Sequence, residues 1–134
     1  MNFKVYIIGD KIEKFYLEGI KEYEKRLSRY CKIKLQKFKN EESLLKKITD
    51  KQYKILVSTG KEELISSEGL SEKIDSFGIS GRSDVVIIMG TENLITDEII
   101  NISPMEMDIG LKTMVMFEQI YRAYRILHNQ PYHK

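Results

Sequence analysis

Residues 3–8 alternate little, are rich in Val, Ile and aromatic side chains and stop at Gly9-Asp10, which predicts a buried first strand. The period then changes. Ile12, Phe15, Tyr16, Ile20, Tyr23 and Leu27 follow one another at helical steps with Glu and Lys between them, the stripe of an amphipathic helix over residues 12–27. Cys31, Ile33 and Leu35 alternate with Lys32, Lys34 and Gln36, the period of two expected of a strand with one wet face. Helix formers with a Leu44, Leu45, Ile48 face predict a helix over residues 41–48, and residues 53–58 predict a short apolar strand. Ser66-Ser67-Glu68 can cap a helix running to about Phe77, residues 78–83 read as a turn, and residues 84–89 are the most apolar strand, ended by Gly90. Thr96-Asp97-Glu98 has the pattern of a short helix start. Met114, Phe117, Ile120, Tyr121, Tyr124 and Leu127 mark a long final helix, closed by Pro131.

Strand and helix alternating four or five times predict an α/β protein with a largely parallel sheet and helices on both faces. At 134 residues, with no internal repeat or low-complexity linker, the chain fits one domain over residues 1–134. In such sheets ligands bind beyond the carboxyl ends of strands. That rule selects Ser58-Thr59-Gly60, Gly90-Thr91-Glu92-Asn93 and the chain that follows as candidate site loops.

Composition narrows the function classes. Hydrophobic residues make up 42%, with eight Tyr and five Phe, which supports a packed core and sets disorder aside. Cys31 is alone, so neither a disulfide scaffold nor a zinc ribbon is available, as suits a reducing cytoplasm. The longest uninterrupted apolar run ends at Met89 and falls far below the ~20 residues of a membrane helix. Residues 1–10 lack a secretory h-region, so a soluble, cytoplasmic protein is expected. The net charge of +2 hides a pattern: residues 1–53 hold 14 Lys/Arg against 8 Asp/Glu, residues 54–111 hold 4 against 11, and residues 112–134 hold 4 against 1. Basic ends around an acidic middle can build a positive face for RNA, although taken alone the count favours a solvated surface whose charges interleave once folded.

Gly-x-Gly-x-x-Gly, the Walker loop and Gly-x-Ser-x-Gly are absent, which removes the ordinary dinucleotide, triphosphate and hydrolase readings. His128 and His133 lack the carboxylate pattern of a metal site, so no metal is expected. Gly90 allows close approach of a ligand, though turn geometry alone accounts for most such glycines. Tyr121, Arg122, Tyr124 and Arg125 interleave aromatics and guanidiniums on one helix, and Tyr132-His133-Lys134 adds a second such cluster. Helix packing accounts for the tyrosines of the helix. An aromatic, polar terminus after Pro131 needs a cleft or a partner to be ordered.

Glu118-Gln119-Ile120-Tyr121-Arg122-Ala123, Ile126 and Pro131-Tyr132-His133-Lys134 resemble the C-terminal signature of the bacterial ribosomal RNA large-subunit methyltransferase H family. The strand ending in Gly9, Tyr23-Glu24-Lys25-Arg26-Leu27, Gly60-Lys61, Ser66-Ser67-Glu68-Gly69-Leu70 and residues 81–90 extend the likeness over nearly the whole chain. The resemblance implies a SPOUT-type α/β fold with a C-terminal trefoil knot. It also implies S-adenosylmethionine-dependent methylation of N3 of a pseudouridine in 23S rRNA within the ribosome, by a homodimer whose tails complete each other's sites. Matched to that pattern, Leu56, Gly90 and the stretch Ile100, Asn101, Ile102, Ser103, Pro104 and Met105 are expected to hold the cofactor. His133 and Glu92 are the candidate proton acceptors, and Tyr132 and Arg122 the groups that position base and phosphate. His133 is preferred because the ordinary imidazole pKa of about 6.5 suits proton transfer at neutral pH.

Three departures stand out. Met89-Gly90-Thr91-Glu92-Asn93 replaces a Gly-Gly-Pro-Glu-Gly type loop, the segment over residues 90–100 is shorter than usual, and Ile109 and Thr113 stand where the family carries a histidine and an arginine. Those two uncharged residues motivate an alternative, a noncatalytic RNA- or ribosome-binding protein of the same fold. A small-molecule-binding α/β domain without an RNA partner is the weaker third option.

Overall fold

The computed structural model describes residues 1–9 and 11–133; Asp10, read above as part of the first turn, and Lys134, the last residue of the tail motif, lie outside the described residues. Chain order is β1 (Asn2–Ile8), α1 (Lys14–Leu27), β2 (Lys32–Phe38), α2 (Glu41–Leu45), β3 (Tyr53–Ser58), α3 (Ser67–Ser80), β4 (Asp84–Met89), β5 (Glu98–Asn101) and α4 (Ile109–Leu127). The strands form one sheet in the order β2-β1-β4-β3-β5, and every neighbouring pair is parallel. The predicted α/β class and parallel sheet are therefore observed.

Three predicted elements differ, the simplest being the helix expected over residues 41–48, which ends at Leu45. Thr96-Asp97-Glu98 does not start a helix: Glu98–Asn101 is the edge strand β5, paired with Ile55–Ser58 of β3. A four-residue strand has too little periodicity to announce itself, and pairing with β3 decides its conformation. Asp97 meanwhile accepts the Lys54 backbone N–H at 2.8 Å, so the carboxylate that looked like a helix cap fixes the strand instead. The predicted turn over residues 78–83 is shorter than expected, because α3 continues to Ser80 before Gly81 ends it at φ +78°, a left-handed conformation natural to glycine.

The two sheet faces are covered unequally. On one, α1, α3 and α4 pack over Phe3, Val5, Ile7, Val85, Ile87 and Met89, and α4 inserts Phe117, Met116 and Ile120 into the same core. On the other, the short α2 places Leu44 over Tyr6, Phe38, Leu56, Val86 and Ile88. Asn40 caps α2 by accepting the Ser43 N–H at 2.9 Å, and Ser66 caps α3 by accepting the Gly69 N–H at 3.0 Å.

Cys31 and Tyr124 meet inside the main core. Burial pushes the Cys31 thiol up from 9.0 to about 11, and burial likewise raises the Tyr124 phenol. The unfolded chain thus loses these protons first. Their contribution to stability is full below about pH 9 and is lost as the pH climbs through about 11. Urea unfolding between pH 8 and pH 11 is expected to show an alkaline decline that Cys31→Ala lessens by about 1–2 kcal/mol. An unchanged pH profile in that variant would remove Cys31 as a cause.

Candidate active site

The candidate site is built where β3 and β5 end. Ile102 donates its N–H to the Ser58 carbonyl at 3.1 Å, Gly60 to Ser103 at 2.8 Å and Ile65 to Asn101 at 2.9 Å, so the chain after β5 is stitched to the chain after β3. Ser103 Oγ accepts the Met105 N–H at 2.9 Å and tightens the turn at Pro104. Beyond it, Thr59 Oγ1 donates to Glu106 at 3.0 Å, and the nearly buried Lys112 ammonium reaches the same carboxylate at 3.4 Å. The Thr59 hydrogen bond above all, then the Met107 N–H and Lys112, hold the Glu106 carboxyl below the usual carboxylate range. The loop at residues 101–108 is thereby pinned to β3 on one side and to α4 on the other.

A cavity of about 290 Å³ opens between this loop, the start of α3 and α4. Ile65, Leu70, Ile100, Ile102, Val115 and Met116 give it apolar walls, and Ser66, Ser67 and Gln119 give it a polar side, with Ser67 Oγ donating to Gln119 Oε1 at 2.6 Å. Apolar walls with a few converging polar groups suit a flat heteroaromatic ring or a thioether chain. Of the residues expected to hold a cofactor, Ile100 and Ile102 line this cavity, while Asn101 and Ser103 serve through their backbone carbonyls in the stitching. Pro104 and Met105 are exposed at the loop tip.

Leu56 and Gly90 stand apart from it. The Leu56 side chain is buried against the α2 face, where it packs with Tyr6, Leu44 and Ile88. Gly90 has φ +94°, and a Cβ there would lie 2.5 Å from the Ile8 carbonyl oxygen, so backbone crowding against β1 by itself requires glycine.

The tail folds back over α4. Tyr132 stacks edge-on against Tyr121 at 4.9 Å, hydrogen-bonds Glu118 at 3.1 Å and Tyr23 at 3.2 Å, and lies under the Arg122 guanidinium at 4.9 Å. Burial first, then its contacts with Tyr23 and Glu118, push its phenol well above the ordinary range. His133 sits between Arg122, 3.0 Å from Nδ1, and Glu68, 2.5 Å from Nε2. Arginine only donates, so Nδ1 must accept and Nε2 carries the proton toward Glu68. The Glu68 carboxyl is held low first by its own backbone N–H and then by His133. His133, Tyr132 and Arg122 thus converge as expected, and Glu68 and Arg122 lie one residue and one helical turn from the cavity residues Ser67 and Gln119.

Glu92 does not join them. Its carboxylate accepts from the buried Ser58 hydroxyl at 3.2 Å and 3.4 Å, at the carboxyl end of β3. Thr113 is fully buried and donates its hydroxyl back to the Ile109 carbonyl at 2.7 Å, so neither residue brings charge to the site. In the sequence Glu68 reads as part of a helix cap and of the family likeness, and Ser58 as part of a site loop, but nothing there pairs Glu68 with His133, Ser58 with Glu92 or Glu106 with Lys112. Only proximity in the fold reveals them. Among the described residues no three His, Cys, Asp or Glu side chains are placed to hold a metal ion, and no helix is long and apolar enough to cross a membrane.

Residues 1–133 match the family described as "Predicted SPOUT methyltransferase". "Ribosomal RNA large subunit methyltransferase H 1" of Thermoanaerobacter sp. (strain X514) is 51% identical over 135 positions, covering all of both chains. Its counterpart "H 2" of Thermoanaerobacter pseudethanolicus matches equally, at 51% over the full length of both. "Ribosomal RNA large subunit methyltransferase H" of Lactobacillus helveticus is 32% identical across both whole chains, over an alignment stretched to 160 positions. Relatives with this chain's length therefore exist beside longer ones. With a parallel α/β sheet, a stitched loop and cavity beyond its strand ends, and a match over all but the last residue, the chain belongs to the SPOUT methyltransferase family.

Proposed function

We propose that the chain is a cytoplasmic, homodimeric enzyme that transfers a methyl group from S-adenosylmethionine to N3 of a pseudouridine in 23S rRNA of the large ribosomal subunit. The observation that carries this reading is His133, oriented by Arg122 and Glu68 beside the cavity that Ile100 and Ile102 line. The names of the full-length relatives support the substrate. A trefoil path for the chain after β5 is part of the same proposal, supported by the family match.

S-adenosylmethionine, when bound, supplies an electrophilic methyl group. Ile65, Leu70, Ile100 and Ile102 would hold its apolar parts and Ser66 and Gln119 its polar edges, and the lining fits such a group. The protein's own task is alignment and proton removal. The N3 proton of the base leaves to Nδ1 of His133 as Arg122 releases that nitrogen toward a phosphate oxygen, and Glu68 stabilises the imidazolium through Nε2. Tyr132, fixed by Glu118 and Tyr23, orients the tail that carries the histidine.

A homodimer is supported by α4. Leu111, Val115, Gln119, Arg122 and Ile126 recur at helical steps and remain half-buried, a stripe suited to a second copy. Sedimentation is expected to give a dimer, and a monomer would overturn that part.

The primary test is transfer of a labelled methyl group to ribosomes lacking the modification, with mass mapping of the rRNA. Incorporation at one pseudouridine is expected. Glu92→Gln is expected to retain activity within about tenfold, since its carboxylate is engaged by Ser58 away from His133. The uncharged pair Ile109 and Thr113 favours the noncatalytic RNA-binding alternative, which predicts ribosome binding with neither transfer nor affinity for S-adenosylmethionine.

A further inference from the structure

The sheet face under α2 is covered only in its carboxyl-terminal half, where Leu44 packs. The alternation that turns Tyr6, Phe38, Leu56 and Val86 toward α2 turns Lys4, Lys32, Lys34 and Lys54 to the same side in the uncovered half. Register sharpens the arrangement. Lys34, Lys4, Val86 and Lys54 stand side by side on one rung across β2, β1, β4 and β3, with Lys4 directly opposite Lys34. Like charges facing each other across strands cost folding free energy. Asp84 meets Lys4 at 3.2 Å, Asp97 meets Lys54 at 3.7 Å and Glu24 reaches Lys34 at 3.7 Å, while Lys32 has no ion pair among the described residues.

This rung continues round the sheet edge. A groove of about 870 Å³ wraps β2 and carries Lys4, Lys21, Lys25, Lys32 and Lys34 against the single acid Glu24. Lysine on an edge strand guards against edge pairing, which accounts for Lys32 and Lys34. It does not account for Lys4, which stands on the interior strand β1, or for Lys21 and Lys25 on α1. Groove and cavity lie toward opposite edges of the sheet, β2 and β5, four strand spacings or roughly 19 Å apart.

We propose that the groove around β2, with its lysine rung, docks the sugar–phosphate backbone of RNA at a distance from the methyl-transfer site. The inference rests on the rRNA reading above and assigns it a surface. Ammonium groups spread over two strands and a helix meet phosphates as point charges and carry no sequence information, so the groove sets affinity and orientation and leaves choice of base to the cavity.

The test compares Lys25→Gln/Lys32→Gln/Lys34→Gln with a charge-matched control, Lys46→Gln/Lys47→Gln/Lys51→Gln. All six lysines are exposed, so both proteins should fold. Binding is measured by co-sedimentation with unmodified ribosomes over a range of salt, and methyl transfer and S-adenosylmethionine affinity are measured beside it. The groove variant is expected to bind at least about tenfold more weakly than wild type near physiological salt, with a salt slope shallower by about two to three. Its kcat at saturating ribosomes and its S-adenosylmethionine affinity stay unchanged, and the control moves little. Equal losses in both variants, or none in the groove variant, would overturn the assignment. If wild type binds ribosomes through the groove yet transfers no methyl group, the catalytic reading fails and the docking surface stands.

Discussion

Replacing His133 with alanine is expected to lower the rate of methyl transfer to unmodified ribosomes by about 10²–10⁴, the range of a lost general base. Affinity for S-adenosylmethionine should change little, because His133 does not line the cavity. Global stability should fall by no more than about 1 kcal/mol, since the side chain lies near the chain terminus and is partly exposed. The contacts make the direction of the effect specific. Arg122 can only donate, so it fixes the basic lone pair on Nδ1, and Glu68 takes the Nε2 proton. Glu68→Gln retains the hydrogen bond but removes the charge that stabilises the imidazolium. It should therefore lower kcat less than His133→Ala and shift the acidic limb of the pH–rate profile to lower pH, because losing a negative neighbour lowers the proton affinity of the imidazole. Single-turnover rates across pH 5 to pH 9 decide the matter. Full activity in His133→Ala would remove the residue from the chemistry.

Gly90→Ala is expected to cost about 2–4 kcal/mol of folding stability, read as a lower urea midpoint at an unchanged slope. Two effects combine. At φ +94° an alanine carries left-handed strain of about 1–2 kcal/mol. Its Cβ would also lie 2.5 Å from the Ile8 carbonyl oxygen and 3.1 Å from the Ile8 nitrogen, and these are backbone atoms of β1 that no rotamer change can move. Relief requires β1 and β4 to shift at their carboxyl ends, where Ile7 and Met89 are paired. Activity should fall only in proportion to the folded fraction, because Glu92 and its Ser58 contact, which follow this turn, stand away from His133. A variant as stable as wild type would show that the turn relaxes freely and that Gly90 serves some other purpose.

The parts of the fold legible in the sequence are those where local period and tertiary demand agree. Residues 53–58 and 84–89 are bounded correctly as β3 and β4 because each centres on a short apolar run, Ile55–Val57 and Val85–Met89, that has one use in a parallel sheet. Glu98–Asn101 was not legible as a strand, since its pairing with β3 lies more than 40 residues away in the chain. At the site, the terminal signature led to His133, Tyr132 and Arg122, which the fold does gather. Glu68 was hidden because a carboxylate in the first turn of α3 already had a sufficient local role in helix capping. Leu56 and Gly90 were placed by resemblance alone, and their surroundings give each a packing role independent of any ligand.

The sheet order β2-β1-β4-β3-β5 has a consequence for synthesis. β1 is made first, yet its inner neighbour β4 begins 82 positions later, at Asp84. The helix that fills the main core with Phe117, Met116 and Ile120 comes last of all. Contacts so distant along the chain close slowly, and a nascent chain halted before α4 can cover Phe3, Val5 and Val85 only in part, with α1 and α3. Folding must therefore wait for nearly the whole polypeptide, and the growing chain depends until then on its many lysines and glutamates to stay dispersed.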